Sequence, residues 1–331
     1  MVGTLLLSRE DVRDLISIEE VVEVVEKTFK DMGEGGVINP AKLHLDLGDG
    51  SSGLPYKAGM NAMPAYIGWQ KVAGIKFIGG WEDNPSKGLP YIRGMIILVN
   101  PEDGQFLSVM DGGLITAMRT GAQVAVALKY LMIKKERPVI ALFGAGTQGR
   151  TQLLAISSVF DIKEFRVYDI NKDAAMLFLK EMSPMTKAPI KLFDSPQEAA
   201  DGADAVVSVT HAKNKFIRKE MFKEGVTLCP LGSFSECADD VILSADKIVV
   251  DHVEQCLHRG ALKELVGAGA ITAENIYGTL GEVVAGKKHG RTKNDEKILC
   301  VTIGTGAMDV SVASMVYRRA MEKGKGVSFS F

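Results

Sequence analysis

The sequence lacks an apolar run long enough to cross a membrane, and it has almost no excess charge. Its longest apolar runs, such as Met95 to Val99, are far shorter than the ~20 residues of a membrane-spanning helix. Lysine and arginine number 39 against 41 aspartate and glutamate, which gives a formal net charge of −2. A chain without surplus positive charge has little to offer the phosphates of a nucleic acid. We therefore expect neither a membrane nor a nucleic acid as partner.

Cysteine and histidine are also scarce. The four cysteines form no Cys-x-x-Cys pair, and none of the five histidines lies three or four residues from another. These spacings match no zinc motif, so we predict no metal. Residues 1–7 are too short for the apolar core of a signal peptide, and a long chain without an export signal is expected to keep its cysteines reduced. The predicted location is the cytoplasm.

An alternation of apolar runs and helical stretches begins near Pro138. Before it, the sequence predicts a helix from Ile18, strands at Val72–Ile78 and Tyr91–Val99, and a long helix from Leu114 to Ile133. The alternation itself is typical of a parallel sheet built from βαβ units. Its strand candidates are Val139–Phe143, Phe165–Tyr168, Ala205–Val209, Thr227–Leu231, Ile248–Val250 and Ile298–Ile303.

This organisation predicts an α/β fold with two domains, as the length of 331 residues favours. Residues 1–125 are expected to form a mixed α+β N-terminal domain, and residues 126–303 a Rossmann dinucleotide-binding domain. Residues 304–331 include a predicted helix from Asp309 to about Met321, which we expect to return to the first domain and complete it.

The strongest motif follows the first strand of the alternation. It supplies Gly-x-Gly-x-x-Gly between an apolar strand and a helix, the arrangement that brings backbone amides and a helix N-terminus to a pyrophosphate. A glycine-rich turn in another doubly wound protein is the alternative. The residues assigned to the cofactor are Gly144, Ala145, Gly146, Thr147, Gln148 and Gly149.

Asp169 makes the dinucleotide interpretation more specific. It follows the second strand candidate, twenty residues after Gly149, where an acid that binds the ribose is expected. Its charge would repel a 2′-phosphate, so the predicted cofactor is NAD. The nearby Lys172 leaves NADP as an alternative.

Lys76 is the first candidate for chemistry outside the Rossmann region. It lies in the apolar strand candidate Val72–Ile78, on the face opposite to Phe77. Burying a lysine there is unfavourable unless the amine has a partner or a task. The alternative is an ordinary lysine on an edge strand.

Arg119 and Thr120 lie in the first turns of the predicted long helix. A guanidinium there is suited to a bidentate contact with a substrate carboxylate, and Thr120 to a bond with a cofactor phosphate. The alternative for Arg119 is a surface arginine on an exposed helix face. Lys42 is a further candidate cation.

Together these segments resemble the ornithine cyclodeaminase/μ-crystallin family over nearly the whole chain. The resemblance implies a homodimer formed through the sheets of the N-terminal domains, with the active site in the cleft between domains. It also implies hydride transfer at the α-carbon of an amino acid by way of an imine. The segments that carry it are Asn39-Pro40-Ala41-Lys42, Met63-Pro64-Ala65-Tyr66, Gly74-Ile75-Lys76, Asn84 through Gly88-Leu89-Pro90, Thr116 through Arg119-Thr120, and Gly144-Ala145-Gly146-Thr147-Gln148.

The same resemblance implies a role for each site residue. Lys76 would exchange a proton with the reacting nitrogen or water, and Lys42 and Arg119 would bind the α-carboxylate. The implied cofactor contacts outside the glycine loop and Asp169 are Thr120 at a phosphate, Thr210 near the adenosine, and Ser233.

Two positions depart from the cyclodeaminase pattern. Cyclodeaminases resemble one another in a glutamate two residues before Met-Pro and an aspartate in a Gly-Gly-Asp segment, where this sequence has Asn61 and Phe234. Without those carboxylates, a cationic substrate side chain would be desolvated with no partner. Asn61 and Phe234 are therefore expected to line a pocket for a smaller or less basic substrate.

Three functions follow from the resemblance. The first is an NAD-dependent amino-acid dehydrogenase, such as alanine dehydrogenase, or an imine or ketimine reductase. The second is ornithine cyclodeaminase, which releases ammonia, forms proline and recycles its NAD. The third is a non-catalytic, crystallin-like protein that binds NAD(P).

Overall fold

The computed structural model describes residues 3–49, 54–232 and 234–330. The chain divides into two compact units. Unit 1 comprises Met1–Arg119 together with Thr305–Phe331, and unit 2 comprises Thr120–Gly304. Among the described residues, no helix has both the length and the hydrophobicity needed to span a bilayer.

Unit 1 begins with a strand and two helices that start at serine caps. Ser8 and Asp11 cap the first helix reciprocally, and the Ser17 side chain accepts a bond from the Glu20 amide in the second. The elements up to the unit boundary are β1 (Thr4–Leu7), α1 (Arg9–Asp14), α2 (Ile18–Glu34), β2 (Val37–Ile38), β3 (Leu43–Asp49), β4 (Lys57–Ile67), β5 (Val72–Trp81), β6 (Ile92–Val99) and β7 (Phe106–Asp111).

The helix α3 (Gly113–Leu131) contains the residues on both sides of the unit boundary, Arg119 and Thr120. Unit 2 then alternates strands and helices: β8 (Val139–Phe143), α4 (Thr147–Val159), β9 (Glu164–Tyr168), α5 (Lys172–Met182), β10 (Ile190–Leu192), α6 (Pro196–Ala200), β11 (Ala205–Ser208), β12 (Thr227–Pro230), α7 (Asp239–Leu243), β13 (Lys247–Val250), α8 (Val253–His258), α9 (Lys263–Gly267), β14 (Gly278–Thr279), α10 (Leu280–Val284) and β15 (Ile298–Val301).

The chain ends in unit 1 with α11 (Gly306–Lys323) and β16 (Val327–Phe329). The described strands of this unit form a mixed sheet in the order β16-β1-β7-β6-β5-β4-β2, with β3 also paired to β4. α11 packs on α2 and on β4, β5 and β6. One face of the sheet is therefore buried beneath the terminal helix.

The sheet of unit 2 is parallel throughout its described strands, in the order β10-β9-β8-β11-β12-β15-β13-β14. The chain proceeds from β8 to β9 on one side and later adds β11 on the other side. In such sheets, this reversal opens a crevice at the carboxyl ends of the strands, where ligands bind. The loop between β8 and α4 lies at this position.

The predicted fold class, a Rossmann sheet plus a mixed α+β unit completed by the C-terminal helix, is confirmed. The six predicted strands of the parallel sheet are all present, whereas the short β10 and β14 were not predicted. The terminal helix begins at Gly306 rather than at Asp309, because the N-terminal turn of a helix tolerates a glycine that would weaken its interior. The assignment of functions to residues 1–125, 126–303 and 304–331 stays a prediction.

Candidate active site

Lys76 lies in the middle of the unit 1 sheet. β5 pairs with both β4 and β6, and Lys76 lies opposite Met63 on one strand and Ile96 on the other. All three side chains are buried, with Lys76 only 1% exposed. The alternative of an edge-strand lysine is therefore wrong, and the amine requires a buried partner.

Asp309, on α11, is that partner, and it also binds Arg119. Its Oδ2 accepts a bond from Lys76 Nζ at 2.5 Å, and its Oδ1 accepts one from Arg119 Nε at 2.9 Å. Lys76 Nζ also lies 3.4 Å from Thr116 Oγ1, one turn before Arg119 on α3. Arg119 is 6% exposed, so the interpretation as a surface arginine is wrong.

Burial and neighbouring charge set the protonation of this cluster. Burial lowers the pKa of Lys76 to about 7; Asp309 opposes this shift, whereas Arg119 and Lys42 reinforce it. Burial alone would raise the pKa of Asp309, but Arg119 and Lys76 bring it below its usual value. A lysine that titrates near neutrality can accept or donate a proton at physiological pH.

Lys42 and Asn61 belong to the same unit. The segment that carries Lys42 is tied to α11, because Asn39 Oδ1 accepts a bond from the Ala307 amide at 2.9 Å. Asn61 lies opposite Ile78, two residues from the Met63–Lys76 pair, and therefore on the same sheet face as Lys76. Its Oδ1 is 3.0 Å from His44 Nδ1. Unit 1 thus brings three cationic side chains and an amide to one region.

The glycine loop of unit 2 has the geometry of a phosphate cradle. Gly144 has a φ of +102°, and a Cβ at Gly149 would lie 2.2 Å from the Gly144 carbonyl oxygen, so neither position accepts a side chain without strain. Gly146 is the N-cap of α4, and a Cβ there would meet nothing within 4 Å. Thr147 and Gln148 form the first turn. A helix N-terminus beside open space suits an anionic group.

Asp169 is fixed at the end of β9. Its Oδ2 accepts a bond from the Ala145 amide at 2.7 Å, and its Oδ1 accepts one from the Asn171 amide at 2.8 Å. Lys172 instead pairs with Asp194 at 2.8 Å on the exposed surface. The glycine loop and Asp169 are therefore joined by a hydrogen bond. Lys172, the nearest lysine in sequence, is paired with Asp194 instead.

The other predicted contacts are distributed as follows. Thr120 lies on α3, where its carbonyl accepts a bond from Gln152 Nε2 at 3.3 Å. Thr210 follows β11 and its hydroxyl donates to Glu236 at 2.5 Å. Phe234 is 40% exposed, with Lys213 Nζ 5.7 Å from its ring centroid. Ser233 lies outside the described residues.

Comparison with known proteins shows the family of the chain. Residues 2–324 match the model of a family described as ornithine cyclodeaminase/mu-crystallin. The chain belongs to the ornithine cyclodeaminase/mu-crystallin family. The resemblance inferred from the motifs is thereby confirmed.

Named proteins are similar to the chain over nearly its whole length. Alanine dehydrogenase of Archaeoglobus fulgidus is 35% identical over 331 residues, which cover 99% of this chain and 98% of the relative. The structure of Thermococcus litoralis Δ1-pyrroline-2-carboxylate reductase with NADH and L-proline has a TM-score of 0.92 at 33% identity, covering 98% of this chain and 100% of that one. An archaeal alanine dehydrogenase dimer with bound NAD has a TM-score of 0.91 at 34% identity, covering 99% of both.

Asp309 is the residue of the buried cluster whose partners the sequence does not reveal. In the sequence it marks only the start of the predicted terminal helix. The available signal was an acid in a helix turn otherwise made of Gly306, Ala307, Met308 and Val310. A lone carboxylate on a buried helix face indicates a cationic partner elsewhere in the chain, and Lys76 and Arg119 are the candidate cations.

Proposed function

We propose that the chain catalyses NAD-dependent hydride transfer at the α-carbon of a small, neutral amino acid, passing through an imine. The observation that carries this proposal is the buried Lys76, which shares Asp309 with Arg119. An enzyme that oxidises an amine to an imine needs a group that exchanges protons near neutral pH and a cation for the α-carboxylate. Unit 1 contains both.

NAD supplies the hydride acceptor and donor when it is bound. The glycine loop fits its pyrophosphate, because Gly146 leaves open space at the start of α4. Each oxygen of Asp169 already accepts one amide bond and retains a lone pair for a ribose hydroxyl. Thr120, Thr210 and Ser233 are the further proposed contacts.

The cations of unit 1 have separate proposed tasks. Arg119 and Lys42 bind the α-carboxylate, and Arg119 is oriented for this by its bond from Nε to Asp309. Lys76 in its neutral form accepts a proton from the substrate amine or from water during oxidation, and in its protonated form returns it during reduction. Its pKa of about 7 makes both forms available at physiological pH.

Ornithine cyclisation is less well supported, because it requires acids for a cationic side chain. Asn61 and Phe234 occupy the two positions at which cyclodeaminases resemble one another in having an acid. Of the acids near Phe234, Glu236 is fully buried and bonded by the Ser208 and Thr210 hydroxyls, and Asp239 pairs with Lys215 at 2.6 Å. Glu236 would have to break both of these bonds, and Asp239 would have to leave its ion pair, before either carboxylate could bind a cationic side chain.

A panel of amino acids assayed at once for NADH and ammonia tests the proposed function. We expect alanine, proline or another small neutral amino acid to generate NADH, and the matching imine to consume it. Proline and ammonia from ornithine without net NADH would instead identify a cyclodeaminase. Tight binding of NAD without turnover of any amino acid or imine would identify a crystallin-like binding protein.

Replacement of Asp169 should alter the cofactor preference. In Asp169→Ala, the Kd for NAD should rise about tenfold, since charge-assisted bonds to the ribose are worth roughly 1.5 kcal/mol or more. The preference for NAD over NADP should fall by at least the same factor, because the repulsion of a 2′-phosphate is lost. Fluorescence titration with NADH and NADPH measures both quantities.

Asp194→Ala is the matched control for this variant. It removes a nearby acid and releases Lys172 from its ion pair while leaving Asp169 in place. We expect the affinity for NAD to be unchanged. An altered preference in Asp194→Ala together with an unaltered one in Asp169→Ala would show that Lys172, rather than Asp169, discriminates between the two cofactors.

We also propose that unit 1 forms a homodimer through the open face of its sheet. Leu43, Phe77 and Met95 lie in one row across β3, β5 and β6, aligned through Ala62 of β4. These three apolar side chains are 74%, 40% and 51% exposed, and a patch of this kind indicates a protein interface. The archaeal alanine dehydrogenase at 34% identity is a dimer, which favours a second copy of the chain as the partner.

A charge in this row should separate the subunits. For Met95→Lys, we expect light scattering to give the mass of one chain, whereas the unmodified protein gives twice that mass. Met176→Lys is the control, because Met176 is 59% exposed on α5 of unit 2. Dimers of unchanged stability in Met95→Lys would exclude this face as the interface.

A further inference from the structure

We propose that Asp309 is a positioning residue for the hydride-transfer reaction: its carboxylate keeps Lys76 and Arg119 in one fixed arrangement in both protonation states of the lysine. This inference rests on the proposed function. All three residues belong to unit 1. Asp309 is not proposed to touch the substrate. It acts through the two cations that it binds.

The geometry gives each cation one oxygen of the same carboxylate. Lys76 Nζ bonds to Oδ2 at 2.5 Å and Arg119 Nε bonds to Oδ1 at 2.9 Å. Three separate elements contribute these residues: β5, α3 and α11. Because Asp309 is fully buried and Lys76 nearly so, water cannot replace either bond without local opening. The carboxylate thus fixes the separation of the proposed proton carrier and the proposed carboxylate clamp.

The charge balance of the cluster explains why a shared acid suits a lysine that must change its charge. With Lys76 protonated, the carboxylate faces two cations. After proton loss, Arg119 and Asp309 remain as a neutral ion pair, so neither buried charge is left without a partner. The groups that act on the lysine charge are Asp309 from α11, Arg119 from α3, and Lys42 from the segment after β2.

The inference predicts the direction in which Asp309→Asn shifts the Lys76 titration. The aspartate is the group that opposes the lowering of the Lys76 pKa, and Arg119 and Lys42 would remain. The Lys76 titration should therefore move to lower pH, by about one unit or more for the loss of a close opposite charge. Since reduction requires the protonated lysine, and a one-unit shift from about 7 lowers its protonated fraction at pH 7 from about one half to about one eleventh, the rate of imine reduction at pH 7 should fall about fivefold or more.

Lysine labelled with ¹³C at Cε gives a readout that needs no activity. The Lys76 resonance is identified by its absence in Lys76→Met, and its shift is followed against pH in the full-length protein. Asp204→Asn is the matched control, because Asp204 is a buried acid of unit 2 that also binds two lysines, Lys135 and Lys223. It should leave the Lys76 titration unchanged. Asp309→Glu keeps the charge, so its Lys76 titration should lie close to that of the unmodified protein.

The outcomes separate this inference from the proposed function. An unchanged Lys76 titration in Asp309→Asn overturns the inference, whatever the activity. A shifted titration in a protein that turns over no amino acid or imine supports the positioning role and removes the proposed function. Should Asp309→Asn not fold, Arg119→Met tests the same point with the opposite sign: Asp309 then pairs with Lys76 alone, the titration should move to higher pH, and a downward shift would overturn the inference.

Discussion

Replacing Lys76 with methionine should lower the rate of amino-acid oxidation by about 10²–10⁴-fold, the usual contribution of a positioned acid or base. The affinity for NAD should stay within twofold of the unmodified protein, because the glycine loop and Asp169 belong to unit 2. Methionine has a similar length and can occupy the buried row between Met63 and Ile96. Asp309 retains Arg119 as its counter-ion, so we expect the variant to fold.

The pH dependence gives a second readout of the same variant. In the unmodified protein, kcat for oxidation should rise with pH through about 7, because the lysine must be neutral to accept a proton. This rise should be absent from the residual activity of Lys76→Met. Lys247→Met is a control for the loss of a buried lysine, since Lys247 pairs with Glu296 in unit 2. A Lys76→Met enzyme with normal turnover would remove the residue from the mechanism.

The dinucleotide loop was predictable from sequence because its physics is local. A φ of +102° at Gly144 and the contact of Gly149 with the Gly144 carbonyl each require glycine. The amides of the following helix come from consecutive residues, so a pattern of six positions specifies the whole cradle. The same is true of the alternation along a strand, because a period of two places Lys76 and Phe77 on opposite faces whatever the tertiary contacts.

The buried cluster was only partly predictable because its contacts are not local. Lys76 and Asp309 are 233 positions apart, and Arg119 and Asp309 are 190 apart. Periodicity cannot show that β5 is an inner strand or that α11 lies over it, and without those facts a strand lysine and a helix arginine have ordinary surface explanations. Family resemblance supplied roles for Lys76 and Arg119, but the acid that joins them emerged only from the packing of α11 on the sheet.

Arg119→Met should weaken substrate binding more than any other variant proposed for this protein. Two charge-assisted hydrogen bonds from a guanidinium to the α-carboxylate contribute roughly 3 kcal/mol together, so KM for the amino acid should rise about a hundredfold. The effect on kcat should be smaller, since the carboxylate is bound in the ground state and the transition state alike. Steady-state kinetics with NAD held at saturation separates the two parameters.

The control and the pH profile distinguish a lost clamp from a damaged fold. Arg318→Met removes an exposed arginine of α11 that donates to Ser314, and its KM should be normal. In Arg119→Met, Lys76 also loses a repelling cation, so the pH at which oxidation reaches half its maximal rate should rise. A raised KM with an unmoved profile would mean that Arg119 acts on the substrate but is not electrostatically coupled to Lys76. A normal KM would show that another cation, with Lys42 the first candidate, binds the α-carboxylate.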